Sequence, residues 1–209
     1  MTDPPKSDRR LSDGELLGLH LGGDHQAFAA LMERYRRELY AFLYHLTGDS
    51  TVAEDAFQEA FLQVHLSAAA FDQTRPFKPW LFTIAANKGR DAMRRRLRRS
   101  AAPLDATVAG QDQRTTYADL MPAEIPAPDE SLMNLETRRA VETIIARMPE
   151  NLRAVLLLCY FNELPYKDVA DILNVPLGTV KSRLHGAVKH FARQWQATAK
   201  RSGHDHEQE

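Results

Sequence analysis

The stretch from Pro76 to Arg99, PFKPWLFTIAANKGRDAMRRRLRR, leaves few folds open. From Trp80 to Ala86 it is apolar on nearly every side, so a helix here must be packed inside other elements. From Lys88 onward it carries Lys88, Arg90, Arg94, Arg95, Arg96, Arg98 and Arg99 against one acid, Asp91. Pro79 suits the opening of such a helix, because the first turn has no use for the missing N–H. At 3.6 residues per turn, Asn87, Arg90, Arg94 and Arg98 fall along one side. That sets an amide beside guanidinium forks suited to phosphate. The simpler reading is a solvated helix end whose cations complement the macrodipole.

The rest of the chain reads as a support for this helix. Its 27 basic and 28 acidic residues nearly cancel, but the balance hides a basic block at 88–99 and an acidic tract across 105–130. The single cysteine, Cys159, sits in VLLLCYF and reads as a core thiol, with no disulfide possible within the chain. No apolar run reaches membrane-spanning length, and the polar N-terminus is unlike a signal peptide. Strand patterns are nearly absent. The chain reads as a cytoplasmic, all-α protein that needs no metal or other cofactor and carries no catalytic triad.

Taken in order, residues 1–10 read as disordered. Ser12 and Glu15 have capping-box spacing for a short helix that breaks at Gly22-Gly23, and Asp24 can cap the next. Phe28, Leu31, Tyr35, Leu39, Phe42 and Leu46 make one apolar stripe. Thr51 and Glu54 again have capping-box spacing, opening a helix to about Ala69. Its Asp55, Gln58, Glu59 and Gln63 lie mostly away from the apolar positions. Phe71 to Phe77 reads as a loop whose aromatic rings either close the core or stack an unpaired base.

Residues 100–131 lose periodicity and gain prolines and acids, the marks of a linker. Extended, it reaches on the order of 100 Å at ~3.3–3.6 Å per residue. The expected architecture is two small helical domains, 11–99 and 132–196, joined by this flexible acidic linker and followed by a polar tail at 197–209. In the second domain, a short helix from Pro165, a turn at Asn174 and a helix opened by Pro176 make a helix-turn-helix. Val180, Leu184, Ala187, Val188 and Phe191 are expected on its inner face. Lys181, Ser182, His185 and Lys189 lie outside, placed to enter a major groove, with Thr179 at the helix start placed for phosphate.

Three stretches, AEDAFQEAFLQVH (53–65), FKPWLFTIAANKGRDAMRRRLRR (77–99) and LPYKDVADILNVPLGTVKSRLHGA (164–187), together resemble bacterial extracytoplasmic-function sigma factors of the sigma-70 family. The resemblance implies a polymerase-binding site at Asp55, Gln58, Glu59 and Phe61. It implies minus-ten recognition, with one base flipped into a loop pocket, by Phe71, Asn87, Lys88, Arg90, Arg94, Arg95 and Arg98. Minus-35 duplex binding falls to Thr179, Lys181, Ser182, Arg183, His185 and Lys189. The implied partners are core RNA polymerase, at its clamp and flap, promoter DNA in duplex and single-stranded form, and an anti-sigma factor. The factor itself is expected to be a monomer, not inserted in a membrane and not an enzyme.

Gly186 and Val188 stand where basic residues are common in the family, which implies a weaker minus-35 face. A free-standing helix-turn-helix regulator would account for 164–195. It would leave the basic helix and the acidic third helix without a purpose.

Overall fold

The computed structural model describes residues 11–100 and 135–205, with side chains described for 11–99 and 137–198. The expected disordered N-terminus, the whole of the expected linker and most of the polar tail lie outside the described side chains. Among the described residues the structure is entirely helical. Its first half contains α1 (Asp13–Leu21), α2 (His25–Thr47), α3 (Ser50–Ser67) with a 3₁₀ turn (Ala68–Ala70), and α4 (Phe77–Ser100). The second half contains α5 (Leu135–Ala146), α6 (Glu150–Leu156) running into a π-helical turn (Leu157–Phe161), α7 (Tyr166–Leu173) and α8 (Leu177–Asp205).

Local chemistry accounts for the helix starts. Ser12 and Glu15 form the expected capping box, each side chain bonded to the other's backbone N–H. Asp24 accepts from the N–H groups of Gln26 and Ala27. For α3 the capping residue is Asp49, two residues before the expected Thr51. Its carboxylate accepts from Val52 N at 2.9 Å, and this backbone bond, with Arg96 alongside, holds its pKa below the usual carboxylate range. Aspartate reaches the N3 amide from the N-cap as well as threonine does. Gly48, at φ 71°, ends the preceding helix in the left-handed region just ahead of it.

Helix α4 begins at Phe77 rather than Pro79, so Phe77 belongs to the helix and not to the loop. Pro79 still lies in the first turn, where no carbonyl awaits its N–H. Leu81, Phe82, Ala85 and Ala86 are fully buried against α2 and α3, and the Phe82 ring lies 5.2 Å from that of Phe42. Gly89 lets α4 cross α2 closely, since a Cβ there would stand 3.1 Å from both Leu43 and Leu46.

The two halves share one apolar core. Lys78 Nζ donates to the Asn162 carbonyl at 2.9 Å and pairs with Glu38, while Arg90 lies 3.8 Å from Glu150. His45 lines a small gap between α2 and the π turn with Leu157, Phe161 and Asn162. Burial, with the Arg153 charge as a smaller contribution, pushes its pKa down to about 4.

Two outcomes follow for stability. Asp49→Ala is expected to cost about 1 kcal/mol in urea unfolding, and Thr51→Ala much less. A histidine whose folded pKa lies below its unfolded value near 6.5 binds more protons when unfolded. Its contribution is therefore retained above about pH 6.5 and lost as pH falls towards 4, by up to ~3 kcal/mol. Thermal unfolding midpoints should drop between pH 7 and 5, and His45→Gln should flatten that slope.

Candidate nucleic-acid interface

With α2, α3 and α7 packed against α4, the row at steps of four and three residues runs from Trp80 and Ile84, half-buried against the core, to Asn87, Asp91, Arg94 and Arg98, which are exposed. Exposed Arg94 is held by Asp91 at 2.5 Å. The expected alignment of Arg90 with this row is only partial. Its guanidinium donates to Asn87 Oδ1 at 3.2 Å, yet it leans towards Glu150 and is half-buried. Burial lowers its pKa.

Lys88 and Arg95 point to α3 instead. Arg95 bonds Glu59 at 2.7 Å and Lys88 lies 3.8 Å from the same carboxylate. Glu59, expected on a polymerase-facing surface, is thus also the counter-ion of two residues expected to meet DNA.

The loop before α4 is tied down locally. Asp72 Oδ1 accepts from the backbone N–H and the hydroxyl of Thr74, and these bonds lower its pKa. Arg75 N closes the turn onto Asp72 O at 3.0 Å. Phe71, just ahead of the turn, is half-buried and leans on Trp80 and Phe77.

On α3, Asp55 and Gln58 are exposed and Glu59 is partly so, but Phe61 is not available to a partner. It is 3% exposed and packs edge-on to Phe28 and Phe57. Phe61 follows the helix's apolar stripe with Ala53, Phe57, Ala60 and Val64 inward, so its role is to hold the surface from beneath. The apolar residues that do reach solvent are Leu62 and Leu66, one turn and two turns beyond Gln58. Sequence reasoning passed over them. The four-residue step from Gln58 was the signal.

In the second half, Val175 N donates to Ala170 O at 3.0 Å and Asn174 adopts φ 51°, turning the chain tightly between α7 and α8. Pro176 lies just outside α8 and accepts the first helical bond, from Val180 N. Lys181, Ser182, His185 and Lys189 share the exposed side, as expected. Ser182 Oγ donates to Thr179 O. Thr179 is half-buried, and Arg183, also half-buried, is close enough to Arg90 for their charges to repel.

Residues 31–99 match the Sigma-70 region 2 family and residues 138–191 match Sigma-70 region 4. The sigma factor SigW of Bacillus subtilis, of the extracytoplasmic-function (ECF) group, is 35% identical over 163 residues, 78% of this chain and 86% of that one. The chain belongs to the ECF sigma factors of the sigma-70 family. As such it binds core RNA polymerase and directs transcription initiation, and it is an initiation factor rather than an enzyme. The sigma-H factor of Pseudomonas aeruginosa is 31% identical over 79% of this chain and 84% of its own length. Among solved structures, CnrH in complex with the cytosolic domain of CnrY superposes with a TM-score of 0.62 at 22% identity, covering 88% of this chain and 97% of that one. RpoE of Bartonella quintana, solved with the anti-sigma factor NepR, gives 0.61 at 20% identity over 81% and 96%.

Within this sigma factor, the departures at Gly186 and Val188 separate. Val188, expected on the inner face of α8, is 54% exposed, so the absence of a cation there lies on the surface. Gly186 instead faces Leu152, whose methyl groups lie 3.5 and 3.9 Å from where a Cβ would stand. It removes nothing from the exposed side that carries Lys181, Ser182 and His185. Gly186→Ala should therefore be accommodated and raise stability by up to ~1 kcal/mol through helix propensity, with duplex affinity unchanged in a filter-binding assay.

Proposed function

We propose that the three surfaces divide the work of promoter opening. The exposed side of α3, through Asp55, Gln58 and Glu59 with Leu62 and Leu66, docks on the polymerase clamp. The outer row of α4, with Phe71 beside it, captures the non-template strand at the minus-ten element. The outer side of α8 meets the minus-35 duplex through Lys181, Ser182, His185 and Lys189, with Thr179 at the helix start.

The observation that carries this reading is the placement of α4. Its inner sides are consumed by the core, while Asn87 and a line of arginines are left outside. An amide that both donates and accepts can read a base edge, and guanidinium forks can follow the phosphates. Arg90 and Arg183 are assigned backbone contacts from the margins of their helices. Lys88 and Arg95 act from beside Glu59. Opening a duplex sacrifices stacking, and each base captured on a protein ring returns ~1–3 kcal/mol. The Bartonella quintana structure, solved with the anti-sigma factor NepR, supports a regulator of the anti-sigma kind for this chain as well.

Co-elution with bacterial core polymerase, followed by run-off transcription from a fragmented genomic template, tests the reading and maps the promoter. Asn87→Ala with Arg94→Ala should leave co-elution intact and reduce permanganate-detected strand opening at least tenfold. Lys181→Ala with His185→Ala should weaken promoter binding without shifting the opened bases, and lower the salt slope by about one for the lost lysine. Loss of co-elution in the first pair, or a shifted opening in the second, overturns the assignment.

A further inference from the structure

Gly186 lies at the floor of a groove that the promoter reading leaves unused. The groove runs between α6 and α8, has a volume of about 500 Å³ and is lined mostly by apolar surface. Half-buried Leu152 closes it from the side of α6, with methyl groups 3.5 and 3.9 Å from where a Gly186 Cβ would stand. On α8 the lining positions include 186, 189, 190, 193 and 196, the three- and four-residue steps of one helix side. At 1.5 Å per residue the groove therefore follows α8 for about 15 Å. Lys189, Arg193 and Gln196 are exposed along it, and none of its lining residues is acidic. His190 also lines it, and the Nε2 of that ring has no hydrogen-bond partner.

We propose that this groove is the docking site for an acidic amphipathic helix of a protein regulator. The proposal deepens the regulator reading given above and rests on it. Two features select that occupant. An apolar floor offers nothing to a phosphate backbone, but it shelters the apolar side of a helix laid along α8. Lys189 and Arg193, with no acid lining the groove beside them, then meet carboxylates on the flanks of that helix. Exposed pairs of this kind contribute little affinity, so the floor supplies the hold and the rim selects the sign of charge. A carboxylate that reaches His190 also finds a nitrogen still to be satisfied. Gly186 keeps the site open. The basic residue commoner in the family at this position would lay its stem along Leu152 and fill the groove. The departure from the family pattern thus opens a surface as well as omitting a charge. Lys189 is assigned to the minus-35 duplex too, so a helix in the groove competes with the promoter for it.

The test uses the full chain and a fluorescein-labelled helical peptide with leucines along one side and glutamates flanking them. A twin peptide carries lysines in place of the glutamates. Fluorescence anisotropy should show the acidic peptide binding at least about tenfold more tightly than its twin. Gly186→Gln fills the groove without adding a charge and should weaken that binding about tenfold. Gly186→Ala leaves most of the groove open and should keep most of the affinity. Arg193→Glu changes an exposed side chain, so it stays informative if Gly186→Gln melts early. It should weaken the acidic peptide and narrow the gap between the two. Both variants should co-elute with core polymerase as wild type does. Equal binding of the acidic peptide to wild type and Gly186→Gln, or of both peptides to wild type, would overturn the site. So would weakened co-elution, which gives the groove to polymerase, or lost duplex affinity in Gly186→Gln, which gives it to DNA. A wild-type dimer that Gly186→Gln dissolves would give it to a second copy and overturn it equally. The reading beneath is checked in the bacterial host, where chromosomal Gly186→Gln should raise basal transcription from the mapped promoters severalfold. Peptide binding as expected with no such rise would sink the regulator reading instead.

Discussion

The placement of α4 against α2 is the contact on which the other arrangements depend. Gly89 admits Leu43 and Leu46 to within the distance a methyl group would contest, and Phe82 meets Phe42 two turns earlier. Once those points are fixed, the rotation of α4 about its axis is fixed with them. Asn87 and Arg94 then face outward, Lys88 and Arg95 face α3, and Arg90 faces the second half. A basic run that has no preferred direction in sequence is sorted into three directions by packing alone.

Much of this could be read from the residues because each signal was local. The capping box at Ser12, the cap at Asp24, the apolar stripe of α2 and the left-handed Asn174 turn all depend on neighbours a few positions away. Where the reading slipped, a choice between near-equivalent local options was involved. Asp49 and Thr51 both offer an oxygen to open α3, and the backbone conformation at Gly48 favours the earlier one.

The surface assignments were harder to read, because solvent exposure is a tertiary property. Phe61 sits among residues expected to face the clamp, yet only the inward partners Phe28 and Phe57 reveal that it is covered. Gly186 looks like a gap in the side expected to face DNA until Leu152, far away in sequence, is found opposite it. The ion pairs of Glu59 and the lean of Arg90 towards Glu150 depend on side-chain reach across helices, which a helical wheel does not contain.

Leu62 and Leu66 carry a consequence for the life of the molecule outside transcription. They are 57% and 68% exposed and lie one helical turn apart on the same helix. An apolar strip of this kind favours self-association once concentration rises, because two copies can shelter it from water as well as a larger partner can. A partner docked as proposed would shelter the same strip. Uncovered, the two leucines stay in water, so the surface proposed for docking is also the one that gains most from being covered.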